Sequence, residues 1–168
     1  HFSRKDSKLG WSMKLGMATG DDPSSAGTYE GFQFDRNYDV AMLLFNHRLG
    51  QKDFLTTNAI KDTTKDFSNS LDDEAVSNVV FVAPKMSYAW SDRLDLNNTL
   101  IYGQLLTNPV AGNSNFNKDL GLEWDLDLVY KPMDRIQWVN QLGVLFPGKA
   151  FKNGDGVGGN LETATNIG

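Results

Sequence analysis

The chain has 168 residues, a formal net charge of −5 and no cysteine. That length suffices for one domain with a core, and the lack of cysteine excludes a disulfide framework and any thiolate metal site. The negative charge, with Lys and Arg scattered, argues against a nucleic-acid partner. No run of about 18 apolar residues occurs, which excludes a transmembrane helix but not a barrel, whose strands give a far weaker hydropathy signal.

Mean hydropathy is −0.40, yet the chain holds 10 Phe, 5 Tyr and 4 Trp. Many aromatics in a polar chain suit a β protein whose apolar residues are spread along strands. The start, HFSRKDSKLGW, has neither an initiator Met nor the charged-then-apolar pattern of a signal peptide. The last residues, NLETATNIG, stop where a further strand is expected to begin. Both ends suggest a segment of a longer protein.

The first element is LGWSMKLGMAT, with Leu9, Trp11, Met13, Leu15 and Met17 on one face of a strand and Lys14 on the other. From Gly20 to Asn78 the pattern changes. The stretch is turn-rich and charged around VAMLLFN (40–46), which is apolar on both faces and suits a short helix or a strand buried in a loop. A connection this long is functional or folded in its own right. Residues 20–78 are therefore expected to be one extracellular or lumen-folded loop, a lid or plug, with an additional hairpin as the alternative.

Four further strands follow. NVVFVAPKMSYAW groups Val80, Val82, Met86, Tyr88 and Trp90; RLDLNNTLIYGQLLT groups Leu94, Leu96, Leu100 and Tyr102 against Arg93, Asp95 and Ile101. DLGLEWDLDLVY sets Leu120, Leu122, Trp124, Leu126, Leu128 and Tyr130 against Asp119, Glu123, Asp125 and Asp127. RIQWVNQLGVLF opposes Ile136, Trp138, Leu142, Val144 and Phe146 to Arg135, Gln137 and Gln141. These runs exceed the ~5–6 residues usual for soluble strands and meet the ~9–11 that a bilayer requires. In the last four strands the apolar positions are even-numbered. Three-residue loops pairing Trp90 with Leu94, and a loop pairing Tyr130 with Asp134, keep them on one side.

Trp11, Tyr88, Trp90, Tyr130 and Trp138 all fall toward the tight-turn rim on the apolar face, the pattern of an aromatic girdle at a membrane–water boundary. The expected fold is all-β: an antiparallel up-and-down transmembrane barrel. This chain (1–168) supplies about five or six long strands and one long loop. The lipid band is Met13, Leu15, Leu100, Leu122, Trp124, Leu126, Leu142 and Val144. The lumen-facing residues are Asp119, Glu123, Asp125, Asp127, Lys14, Lys85, Arg93, Asp95 and Arg135. The acids either pair with Lys14, Lys85, Arg93, Lys131 and Arg135 across strands or set ion selectivity.

GMATGDDP resembles the strand-to-loop signature of alginate-export-type outer-membrane barrels. DLGLEWDLDLVYKPMDRIQWVNQLGVLFPGKAF resembles their last hairpin region. The resemblance implies the C-terminal part of a porin-like barrel lacking its final strand, and a route for anionic polysaccharide through an Arg-rich lumen. The acid row of this chain departs from such a lumen.

Other chemistry is poorly supplied. Glu123 and Asp125 lie about 7 Å apart on one strand face, and a watery lumen gives little of the desolvation a glycosidase acid needs. Among the two histidines, His47 has no nucleophile motif beside it, so it reads as a loop residue. TGDDPSS and KNGDGVGGN lack the spacing of a calcium loop and read as loops. No enzyme activity, catalytic residue, cofactor or metal is expected. The expected partners are the outer-membrane bilayer, the remaining strands of the barrel, and a hydrophilic solute or polysaccharide. The alternatives are a soluble β-sandwich or barrel binding module with the Leu/Trp face inward, and a structural surface barrel or adhesin.

Overall fold

The structure is a computed structural model that describes residues 2–4, 8–20, 30–32, 34–35, 38–45, 76–108, 117–152 and 164–167. It is all-β. Seven strands form one antiparallel sheet in chain order: β1 (Phe2–Arg4), β2 (Leu9–Ala18), β3 (Val79–Ser91), β4 (Leu94–Leu105), β5 (Asp119–Met133), β6 (Ile136–Pro147) and β7 (Ala164–Ile167). A 3₁₀ turn, Lys149–Lys152, follows β6. Five strands run 10 to 15 residues, with the bounds expected from periodicity to within a few positions. The short β1 and β7 were not anticipated; β7 stands where only a strand beyond the chain was expected. The sheet is open: among the described residues β1 and β7 pair only with β2 and β6.

The tight turns correct the expected loop lengths. Ser91 pairs Leu94 and Met133 pairs Ile136, so each reversal is a two-residue Asp-Arg turn, Asp92–Arg93 and Asp134–Arg135. A shift in each ladder follows, between Ala89 and Ser91 and between Tyr130 and Met133. A bulge restores the parity that a two-residue turn alone would spoil. Tyr130 thus pairs Trp138 rather than Asp134, and the apolar faces still coincide. Pro84 lies inside β3 where the β3–β4 ladder pauses between Val82 and Lys85, so its missing N–H costs little.

A third bulge changes which side chains share a face. Gly103 pairs Gly121 but Gln104 pairs Asp119, leaving Leu120 as the extra residue. Gly121 has φ +99, and a Cβ there would meet the Phe146 carbonyl oxygen at 2.2 Å. Only glycine takes this conformation cheaply. Leu120 consequently turns to the acidic face and is buried, against the expectation that it belonged to the apolar set.

In the connection between β2 and β3, the described residues 40–45 pack onto the sheet. Of residues 20–78, positions 42–45 form bends and turns after an irregular Val40–Ala41, neither the helix nor the strand considered from sequence. Val40, Ala41, Leu43, Leu44 and Phe45 are buried against Phe81, Ala83, Ile101, Leu105, Leu120 and Leu145. Fully burying one such side chain is worth about 1.5–3 kcal/mol, so this small cluster secures the fold-back. Its closing end is tied at Asn78, whose side chain accepts from Thr107 N–H at 2.7 Å and donates to the Thr107 carbonyl at 3.0 Å. His47, TGDDPSS from Asp21 on, and the glycine-rich stretch after Lys152 lie outside the described residues.

Candidate functional site: two faces of one sheet

The core lies on the face that carries the charges. Cross-strand rows on this face run Lys14–Ala83, then Ser12–Lys85–Thr99–Asp125–Gly143, then Gly10–Ser87–Asn97–Asp127–Gln141. Glycine makes room for the folded-back segment. A Cβ at Gly103 would press on Phe45 and Leu44, and one at Gly143 would lie 3.2 Å from both Met42 Cβ and Asp125 Oδ1. That was the missed sequence signal: glycines on the polar face of strands, opposite an apolar run elsewhere in the chain.

Charges hold the segment by its backbone. Leu43 and Leu44 N–H donate to Glu123 Oε1 and Oε2 at 2.7 and 2.6 Å, and Glu123 is fully buried. Met42 N–H donates to Asp125 Oδ2 at 3.3 Å, while Asp125 Oδ1 is buried without a hydrogen-bond partner. On the other side, Lys14 Nζ donates to the Asp39 carbonyl at 3.5 Å. Three consecutive N–H groups meet carboxylates and a nearby C=O meets an ammonium. The two Glu123 bonds have the short length of strong charge-assisted hydrogen bonds, whereas those of Asp125 and Lys14, at 3.3 and 3.5 Å, are long and weaker.

The expected acid row is therefore divided three ways. Glu123 and Asp125 serve the backbone of residues 42–44 instead of cross-strand cations. Asp127 stays partly open, accepting from Gln141 Nε2 at 3.0 Å with Lys85 Nζ at 4.0 Å. Asp119 leaves the row. The bulge puts it opposite Gln104 on the apolar face, where it accepts from Gly121 N–H at 3.1 Å and lies beside Tyr102. Of the cations, Lys131 binds Asp95 at 2.7 Å. Arg93 and Arg135 occupy the turn tips and make no ion pair among the described residues.

The opposite face is apolar and, among the described residues, uncovered. From the tight-turn rim its rows read Leu94–Tyr130–Trp138, then Leu9–Tyr88–Leu96–Leu128–Asn140, then Trp11–Met86–Asn98–Leu126–Leu142, with Trp90, the extra residue of the β3 bulge, edge-on to Tyr88 at 6.2 Å. Beyond these come Met13–Pro84, Leu100–Trp124–Val144, and Leu15–Val82–Tyr102–Leu122–Phe146. Trp90 and Trp138 are each 65% exposed and Leu15 67%. The five rim aromatics share this face and gather toward the turns. Tyr102 and Phe146, on either side of Leu122, are two further exposed aromatics toward the other end, which periodicity alone did not single out. The polar Asn98 among them accepts from Trp124 Nε1 at 3.4 Å.

No group of His, Asp and Glu suited to a metal occurs among the described residues. Comparison of the chain with protein-family models, curated proteins and solved structures finds no match.

Proposed function

We propose that this sheet is part of the wall of a Gram-negative outer-membrane β-barrel, a channel passing small or polymeric hydrophilic solutes, with the 40–45 segment folded into its lumen. The observation that carries this reading is the inverted layering. Among the described residues the second layer lies on the charged face, while the apolar face is left uncovered along all five long strands. A soluble monomer rarely exposes an apolar patch of that extent.

Dimensions support the reading. Trp90 to Val80 spans about 33 Å by the strand rise. With strands tilted ~40°, that becomes about 25 Å, the height of the lipid-facing band of such barrels. Aromatics flank the band, and the reversals on one side are tight, as periplasmic turns are. Seven strands fall short of the ~8 of the smallest membrane barrels, so the wall is completed by further strands of this polypeptide or of other chains.

Transport in this reading is passive. The folded-back segment narrows the passage, and the charges it leaves open, chiefly Asp127, Lys85, Asp95 and Lys131, bias what passes. The likeness of GMATGDDP and of the β5–β6 region to alginate-export-type barrels favours a polysaccharide, whereas the acids favour cations over a polyanion. Detergent partitioning with heat-modifiable migration on a gel is the deciding experiment. The barrel should require detergent and shift on boiling; a monodisperse protein in plain buffer would sink the reading in favour of a soluble β module.

A further inference from the structure

Neighbouring hairpins β3–β4 and β5–β6 both reverse through Asp-Arg, and their tips enclose one open cleft of about 730 Å³. Turn propensity accounts for the Asp, but nothing in turn geometry asks for the Arg that follows. The cleft is lined by Arg93, Arg135, Asp92, Asp134, Met133 and Ile136. Neither guanidinium and neither turn carboxylate makes an ion pair among the described residues, and Lys131 at the edge is already bound to Asp95. Met133 and Ile136 are each more than half exposed. The cleft thus offers two unengaged cations, two unengaged anions and an apolar margin. Trp90 and Tyr130 stand immediately before it in sequence, and Trp138 immediately after.

We infer that this cleft binds a phosphoethanolamine headgroup of a phospholipid, the guanidiniums taking the phosphodiester and the turn carboxylates the primary ammonium. The inference rests on the membrane reading above, which sets the aromatic rim at the headgroup boundary. Arg suits the phosphate because its planar fork gives paired N–H donors to two oxygens. A purely anionic headgroup would leave Asp92 and Asp134 facing its charge. A quaternary ammonium would give them no N–H to accept from. The zwitterion with a primary ammonium satisfies all four groups.

The test uses the full-length protein, purified in detergent and stripped of lipid, then offered phosphatidylethanolamine, phosphatidylcholine and phosphatidylglycerol with identical acyl chains. Bound lipid is counted by native mass spectrometry. Phosphatidylethanolamine should be retained in preference to both others, and losing one guanidinium should weaken it roughly tenfold. Arg93→Ala/Arg135→Ala should abolish retention, while Asp92→Asn/Asp134→Asn should erase the preference over phosphatidylglycerol. Equal retention of all three lipids, a preference for phosphatidylglycerol, or a preference surviving in the arginine variant overturns the inference. Heat-modifiable migration is scored beside every sample. If the wild type shows it without lipid preference, only the headgroup site falls; if the wild type lacks it, the barrel reading falls and takes the site with it. Should the alanine pair not fold, Arg93→Lys/Arg135→Lys, which keeps charge without the fork, should weaken retention while preserving migration.

Discussion

The two halves of β5 carry one chemical pattern and meet two environments. From Leu122 to Tyr130 the strand alternates apolar and acidic or polar positions until Val129. In the half near the loop, Glu123 and Asp125 are sealed under residues 42–44 and give three of their four carboxyl oxygens to backbone N–H groups. In the half near the turn, Asp127 meets only Gln141 and a distant Lys85. An acid's role here is decided by what packs against the charged face of the sheet, not by its place in the strand.

Glu123 should therefore be the costliest acid to lose. Glu123→Ala strands two buried N–H donors, and each orphan costs about 1–3 kcal/mol. A total loss of about 3–5 kcal/mol is expected, concentrated in the folded-back segment. Glu123→Gln keeps one acceptor and should cost about half as much. Limited proteolysis and denaturant midpoints of the two variants measure this; an alanine variant as protected as the wild type would break the distinction between the halves.

Gly121→Ala comes next. Its positive φ and the approach of the Phe146 carbonyl leave no room for a Cβ. Straightening the bulge would return Leu120 to the apolar face and Asp119 to the acidic one. We expect about 2–3 kcal/mol of destabilisation, on the scale of backbone strain at such positions. Cysteine labelling at position 120 would show the flip: an inaccessible thiol in the parent should become reactive in the alanine variant.

That bulge also marks where the sequence stopped being legible. The five long strands, their two faces and the gathering of Trp11, Tyr88, Trp90, Tyr130 and Trp138 at one rim all follow from a period of two, which persists for ten residues or more. A single extra residue at Leu120 breaks the count, and nothing local announces it except a glycine. The Asp-Arg turns were misjudged by a residue because their compensating bulges hide the parity. Strands of three or four residues, such as β1 and β7, hold too few alternations to register. The docking of 40–45 on Glu123 joins positions some 80 residues apart in sequence; only the polar-face glycines hinted at a second layer.

Charge reversal separates the halves functionally. On the proposed channel reading, Asp127→Lys should shift the cation-to-anion permeability ratio severalfold in single-channel recordings, because its side chain is left partly open on the charged face, while changing stability by no more than about 0.5 kcal/mol. Asp125→Lys should instead disturb the 42–44 segment and raise mean conductance as that segment lifts. Equal changes of selectivity and equal conductance from the two substitutions would mean that both acids face the solute alike.

The smallest effect is expected where the geometry looks best. Lys131 Nζ and Asp95 Oδ2 are only 2.7 Å apart, yet both side chains are about a third or more exposed. Water screens such a pair and ordering two side chains costs entropy, so exposed ion pairs yield about 0.2–1 kcal/mol. Lys131→Ala should therefore move the denaturant midpoint slightly at low salt and not at all near 1 M, where the Debye length falls to ~3 Å. Glu123→Ala, whose partners are sealed from solvent, should lose nearly the same stability at both ionic strengths. The contrast in salt dependence tests burial itself, independently of any view of what crosses the sheet.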